Sequence, residues 1–356
     1  MSNNTANSSE NAKANPMQEI SGVYEICIGT RDRKSTIKYW EQFGFSLGQE
    51  GELSAQQAQA LYGVDSPLRA MRLQHQDSDH GLIRVMVWDE PVNEGLEMSK
   101  MRLRGNRWGA MMSDDVLAIA NHAAIAKAAG QEIYFMGPMW DVIYDTGETF
   151  EPFVDKPIGV RELMLIRPES RQFIFQRYNY QIPNYGKIAI AAHLRTSQFT
   201  HVGLIIQDDS QEVISFYDEV LGLLRFNDEE WVTPYEGNET GRDIFQINPG
   251  EEYFSVNFDD PRSSKDDPQK MRSGRLKIIR YPESLNVPDV HELARPGSLG
   301  VCLYTYAVRD ILDYYQRVSE SNAKNITSIE ANEFGERSFS FVAPDGYFWT
   351  LVEKSL

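Results

Sequence analysis

Cysteine and basic residues are scarce in this sequence, long apolar runs are missing, and each shortage removes a class of protein. Only Cys27 and Cys302 are present, far apart and inside separate apolar runs. That placement predicts two buried, reduced thiols rather than a disulfide framework, and a cytoplasmic setting. The 35 Lys and Arg are outnumbered by 52 Asp and Glu, for a net charge of −17. Such a surface repels nucleic-acid phosphates and anionic lipid, so neither is an expected partner. No apolar run approaches the roughly 20 residues that span a bilayer. Gly-rich nucleotide loops, a Gly-x-Ser-x-Gly elbow and paired-cysteine zinc motifs are also absent, which removes several common enzyme classes. The expected partner is a small-molecule ligand.

What the sequence does have is apolar material, 41% of its 356 residues with 11% aromatic, enough for two domains or for one built of repeats. Residues 1–20, rich in Asn, Ser and Ala, read as a disordered tail with neither the basic nor the apolar part of a signal peptide. Beyond them one pattern recurs. "FTHVGLIIQD" reads as a strand and runs into the helical "DSQEVISFYDEVLG", stopped by Gly222; "DIFQINPG" and "EYFSVNFDD" then read as strands. The order returns at 298–354, where "SLGVCLYTY" leads to the helix "AVRDILDYYQRVSESN", a weak strand at 326–330, "RSFSFVAPDG" and "YFWTLVE". It returns again at 22–90 and 106–180, giving four βαβββ modules. Polar linkers at 91–105, 181–198 and 259–274 suggest an amino-terminal domain over 21–180 and a carboxy-terminal one over 199–356, with the third module ending at 260.

Four such modules, with "FTHVGLIIQDDSQEVISFYDEVLG" opening the third and "FVAPDGYFWTLVE" closing the fourth, resemble the vicinal oxygen chelate superfamily. Its members include glyoxalase I, bleomycin-resistance proteins and extradiol dioxygenases. The resemblance implies an α+β fold in which paired modules form two half-barrels, each around a cavity. It also implies, for the extradiol type, a divalent metal held by one His early in the first strand of module three, a second at the matching place in module four, and a Glu four residues after the turn glycine of the last strand. His201 fills the first place, but Gly300 and Thr350 stand in the other two. Glu353 falls on the opposite face of its strand by alternation. The expectation is therefore a cavity without the metal, with Fe or Mn at His201 as the alternative.

Alternation then nominates the groups that do chemistry. In the carboxy-terminal cavity His201 is the candidate acid or base, with Tyr304 and Thr350 holding a substrate oxygen. Phe348, Cys302, Glu252 and Phe254 complete its lining. In the amino-terminal cavity Glu25, if buried near Trp108, would have a raised pKa, the alternatives being an ion pair with an arginine such as Arg177 or simple exposure. Trp140, in the insertion "FMGPMWDVIYDTGETFEPF", is a candidate cover for a flat ligand. His75 and His80, with Asp77 and Asp79, read as a solvated turn. The function so implied is proton-transfer chemistry, of lyase, isomerase or hydratase type, on a small oxygenated aromatic metabolite. The alternatives are a ring-cleaving dioxygenase and a binding protein without catalysis. Related half-barrels often pair, so the resemblance leaves a homodimer open.

Overall fold

The computed structural model describes residues 19–144, 149–150, 154–155, 158–207, 210–226, 233–234, 239–264 and 266–356. The expected tail lies outside them up to residue 18, and Ile20 already begins the first strand.

The four modules are present, each opening with a strand and a helix. Asp32, Asp115, Ser210 and Asp310 start the four helices as N-caps, their side chains accepting backbone N–H groups of the first turn. The modules are not grouped as their order along the chain suggests. The first strand of module one, Ile20–Gly29, pairs antiparallel with that of module four, Gly300–Val308. The first strands of modules two and three, Arg107–Ser113 and Thr196–Ile206, pair in the same way. One eight-stranded sheet thus combines modules one and four, and a nine-stranded sheet combines two and three. The linker at 181–198 joins two paired modules instead of dividing domains. The crossings between sheets are made by 91–105 and 281–299, which run side by side through bridges at Asn93–Ser298 and Arg104–Asp289.

Module three also extends past 260. Residues 259–274 are internal to it, and its last strand is Arg275–Arg280, parallel to Thr196–Ile206. "DIFQ" ends a short helix, Glu239–Ile244, and forms the turn after it, rather than a strand. Module one carries an additional helix, Ala55–Tyr62, fixed by a Ser54–Gln57 capping box and by left-handed Gly63.

The largest core cluster lies between the sheets and joins Val23, Ile26, Tyr304, Tyr306 and Trp349 to Phe199, Val202 and Leu204. The turn of "APDGYFWTLVE" contributes to this junction. The Tyr347 hydroxyl sits 2.7 Å from the Ile205 carbonyl and accepts the backbone N–H groups of Gly105 and Ile205 at 3.0 and 2.9 Å. His75 and His80 are buried, contrary to the solvated turn expected of them. His80 bridges Asp79 and Ser273, both at 2.6 Å, and with Ser273 wholly buried the trio ties module one to module three. Among the described residues no helix is long and apolar enough to cross a membrane.

Candidate functional site

Because modules three and four lie in different sheets, the site expected of them is divided. His201 belongs to the half-barrel of modules two and three; Thr350, Cys302 and Phe348 belong to that of one and four. Tyr304 faces neither cavity. It is fully buried between the sheets, its hydroxyl 2.8 and 3.0 Å from the carbonyl oxygens of Trp108 and Gly203. It is a structural tie, and Tyr304→Phe is expected to lower stability by about 1–2 kcal/mol. A chemical denaturation curve of that variant superposing on the native one would contradict this.

The concave side of the first sheet is filled with charge. Glu25 accepts from Arg72 Nε at 2.6 Å, from the Arg84 guanidinium, and from the Thr305 hydroxyl at 2.9 Å. Arg84 also meets Glu333 at 3.1 Å and donates to Tyr62 at 2.8 Å, while Arg72 grips Glu336 with two bonds of 2.9 and 2.8 Å. Of the alternatives for Glu25 the ion pair holds, with Arg72 and Arg84 as partners in place of Arg177, and the raised pKa does not. Burial pushes the carboxyl up, but the two guanidinium groups outweigh it and hold it below the usual range. Thr350 is bonded to Ser340 at 2.8 Å, and the Cys302 thiol lies 3.6 Å from the Cys27 carbonyl. Both cysteines are buried and free.

The other half-barrel keeps a different character. A register irregularity between Phe199 and His201 marks a bulge, which brings Thr200 and His201 together. The Thr200 hydroxyl, 3.2 Å from the Ala110 carbonyl, donates there and so accepts from His201 Nδ1–H at 3.2 Å. This assignment leaves Nε2 with its lone pair free. The ring is half-buried, with Phe175 at 5.6 Å and Trp108 edge-on at 6.0 Å between centroids. Phe173 and Phe245 stack behind Trp108.

Burial first, then the charges of Lys277, Arg275 and Arg177, hold the His201 pKa well below its ordinary value. The imidazole is neutral at pH 7. Arg275 is matched by Asp259 through bonds of 2.5 and 3.0 Å. Arg177 is ringed by Tyr185, Tyr180 and Phe175, and no described carboxylate lies within ion-pair distance of it. Glu162, half-buried on the strand Ile158–Arg167, has its pKa raised by burial, against the pull of Lys277. The surroundings of His201 therefore combine a neutral imidazole, cations and a carboxyl that resists ionisation.

Trp108 is the other expected residue that lies beside His201. Its indole lies against Gly203, where an added Cβ would stand 2.0 Å from the ring. Gly203→Ala must therefore displace a buried Trp, at a cost of about 1–3 kcal/mol. An altered near-ultraviolet Trp signal together with a lowered melting temperature is the expected observation. Glu252 is exposed, and Phe254 faces the other side of its strand, under Arg280 at 5.2 Å. Trp140 is part of a strand, Tyr134–Tyr144, and stays 39% exposed beside Tyr178 and Arg161. It does not cover His201.

No group of three His, Cys, Asp or Glu among the described residues is placed to share a metal ion. The charges acting on His201 are cations, a poor setting for a divalent ion. Sequence reasoning missed Lys277 and Glu162. Each is a charged residue inside a strand that also carries apolar residues, "RLKIIR" and "IGVRELMLIR"; a charge placed between apolar neighbours of a strand is the signal that could have found them.

Residues 198–351 match the Glyoxalase/Bleomycin resistance protein/Dioxygenase superfamily. No curated protein matches the chain. Among solved structures, it is similar to glyoxalase I from Zea mays, at 14% identity and a TM-score of 0.51, with 94% of this chain and 92% of that one covered. A Bacillus subtilis protein assigned as a dioxygenase is similar at 9% identity and a TM-score of 0.55, with 95% and 86% covered. At such identities the likeness is one of fold.

Proposed function

Through residues 198–351 the chain belongs to the Glyoxalase/Bleomycin resistance protein/Dioxygenase superfamily, and from that premise we propose that it is an enzyme of proton transfer. Its substrate is a small aromatic 2-oxo or 2-hydroxy carboxylate, and its site is the half-barrel of modules two and three. The observation that carries this reading is the neutral His201 between aromatic rings and beside Lys277, Arg177 and Arg275.

An aromatic substrate edge fits against Trp108 and Phe175, and its carboxylate pairs with Arg177. His201 Nε2 then takes the acidic proton next to the carbonyl. The electron pair left behind becomes an enolate, whose oxygen Lys277 stabilises. The proton returns to carbon, or, in a substrate with a hydroxyl on the carbon next to the one deprotonated, Glu162 protonates that hydroxyl, which leaves as water while a C=C bond forms. The first outcome is isomerisation; the second is elimination, or hydration in reverse. The cationic surroundings favour this reading over one with a metal at His201.

The test is proton exchange in heavy water. Phenylpyruvate, 4-hydroxyphenylpyruvate and mandelate are incubated with protein before and after chelator treatment, and the exchangeable C–H signals are followed by NMR. Exchange faster than buffer, unchanged by chelator, is expected for at least one of them. Buffer rates with all three would sink the reading, and saturable binding beside buffer rates would mark a binding protein instead.

A further inference from the structure

A cavity of about 480 Å³ opens at the mouth of the other half-barrel, between the end of the helix Ala55–Tyr62, residues 291–296 and the last strand of module four. Its volume falls in the range of about 300–1,000 Å³ usual for small-molecule sites. Arg107 lines its inner wall and is only 2% exposed. One side of this guanidinium donates to the Ala294 carbonyl, the other to the Phe348 carbonyl at 2.7 Å. Its Nε–H has no acceptor among the described residues. The faces of Tyr347 and Tyr304 lie 4.8 and 5.5 Å from it.

No described carboxylate is paired with this charge. Asp345 acts on Arg107 from a distance, and burial raises its own pKa, favouring the neutral acid. The carboxylate at the rim, Glu292, is matched by Arg295 at 2.9 Å. Buried charges are ordinarily paired, because an unpaired one costs several kcal/mol. Carbonyl dipoles and aromatic faces meet part of that cost at Arg107. Each terminal nitrogen keeps a second N–H beyond its carbonyl partner, and a guanidinium in a cavity wall with no counter-charge is suited to taking up an oxyanion.

We propose that this cavity binds a small oxyanion, a carboxylate or a phosphate, with Arg107 as its counter-charge. The site is independent of the reaction proposed for His201. It stands in the half-barrel whose interior is taken up by the ion pairs of Glu25, Arg72 and Arg84, so its role is binding rather than turnover. Arg107 directly precedes Trp108, whose ring lies edge-on to His201, so a ligand held here is one residue away from that contact.

Calorimetric titration of the full chain at low ionic strength, separately with inorganic phosphate and with malonate, tests the proposal. The cations near His201 offer another anion site, so variants identify this one. Arg107→Met is expected to weaken one class of binding at least tenfold and Lys277→Met to leave that class intact. Because Arg107 is buried, the second variant is Gln59→Trp, which fills the cavity from an exposed rim position and is expected to have the same effect. Binding of phosphate alone, of malonate alone or of both tells which oxyanion the site takes. No saturable binding of either anion to the native chain overturns the proposal. So does binding that Gln59→Trp leaves unchanged and Lys277→Met removes.

Discussion

His201→Gln is expected to lower the rate of carbon–proton exchange by at least about 10²-fold, the usual contribution of a positioned general base. The amide keeps the size and a hydrogen bond to Thr200 but cannot accept a proton at neutral pH. Substrate binding, set by Arg177 and the aromatic walls, should change little, so the loss appears in kcat more than in KM. A variant with native exchange rates would remove His201 from the chemistry.

The pH profile gives an independent reading of the same residue. Burial and the three cations hold the imidazole well below its ordinary pKa, so the free base is the dominant form throughout the neutral range. Activity that depends on this base is level near pH 7 and falls only when acid protonates the ring, below the range where an ordinary histidine titrates. Lys277→Met removes the largest of the three charge effects. His201 then becomes easier to protonate, and the acid limb moves to higher pH. A limb moving to lower pH, or staying in place, would contradict the electrostatic account.

His201 and Trp108 were legible in the sequence because strand alternation and the family motif both point at them. Tyr304 was misread for a physical reason: alternation says which residues share a face, not what covers that face. In the strand Gly300–Val308, Tyr304 is covered by the second sheet. Module order misled in a similar way. Any first strand offers the same unpaired edge, so the choice of partner rests on contacts far apart in sequence, such as Ile26 with Tyr304 and His201 with Ala110. The helices and most strands, by contrast, depend on local periodicity and caps, which the chain carries in each module. Lys277 is hidden from sequence reasoning because the polar stretch 259–274 looks like the end of the module, whereas the strand Arg275–Arg280 follows it and closes the module.

The first half-barrel offers the second large effect, on stability. Arg72, Arg84 and Lys354 face Glu25, Glu333 and Glu336, three cations against three carboxylates, with Glu25, Arg84 and Glu333 wholly shielded from solvent. Module one supplies Glu25 and both arginines, while module four supplies Glu333, Glu336 and Lys354, so the cluster joins the two modules across their cavity. Glu25→Gln leaves one buried cation in excess, a defect that costs about 3–5 kcal/mol and is expected to lower the melting temperature by roughly 10 °C. Glu25→Met combined with Arg84→Met restores the charge balance, and should recover much of what Glu25→Met alone loses. The sign with pH follows from the carboxylates. Glu336 is held at about 2, where Arg72 and Lys354 outweigh the effect of burial, and Glu25 is lowered as well. Their stabilisation is fully present above the ordinary carboxylate pKa of 4.5 and is lost as the pH falls from there toward 2. Thermal melts of the native chain should therefore be level near neutrality and drop steeply over that acid interval, with a shallower drop in Glu25→Gln. A Glu25→Gln protein melting within a few degrees of the native one would mean that the cluster is solvated rather than buried.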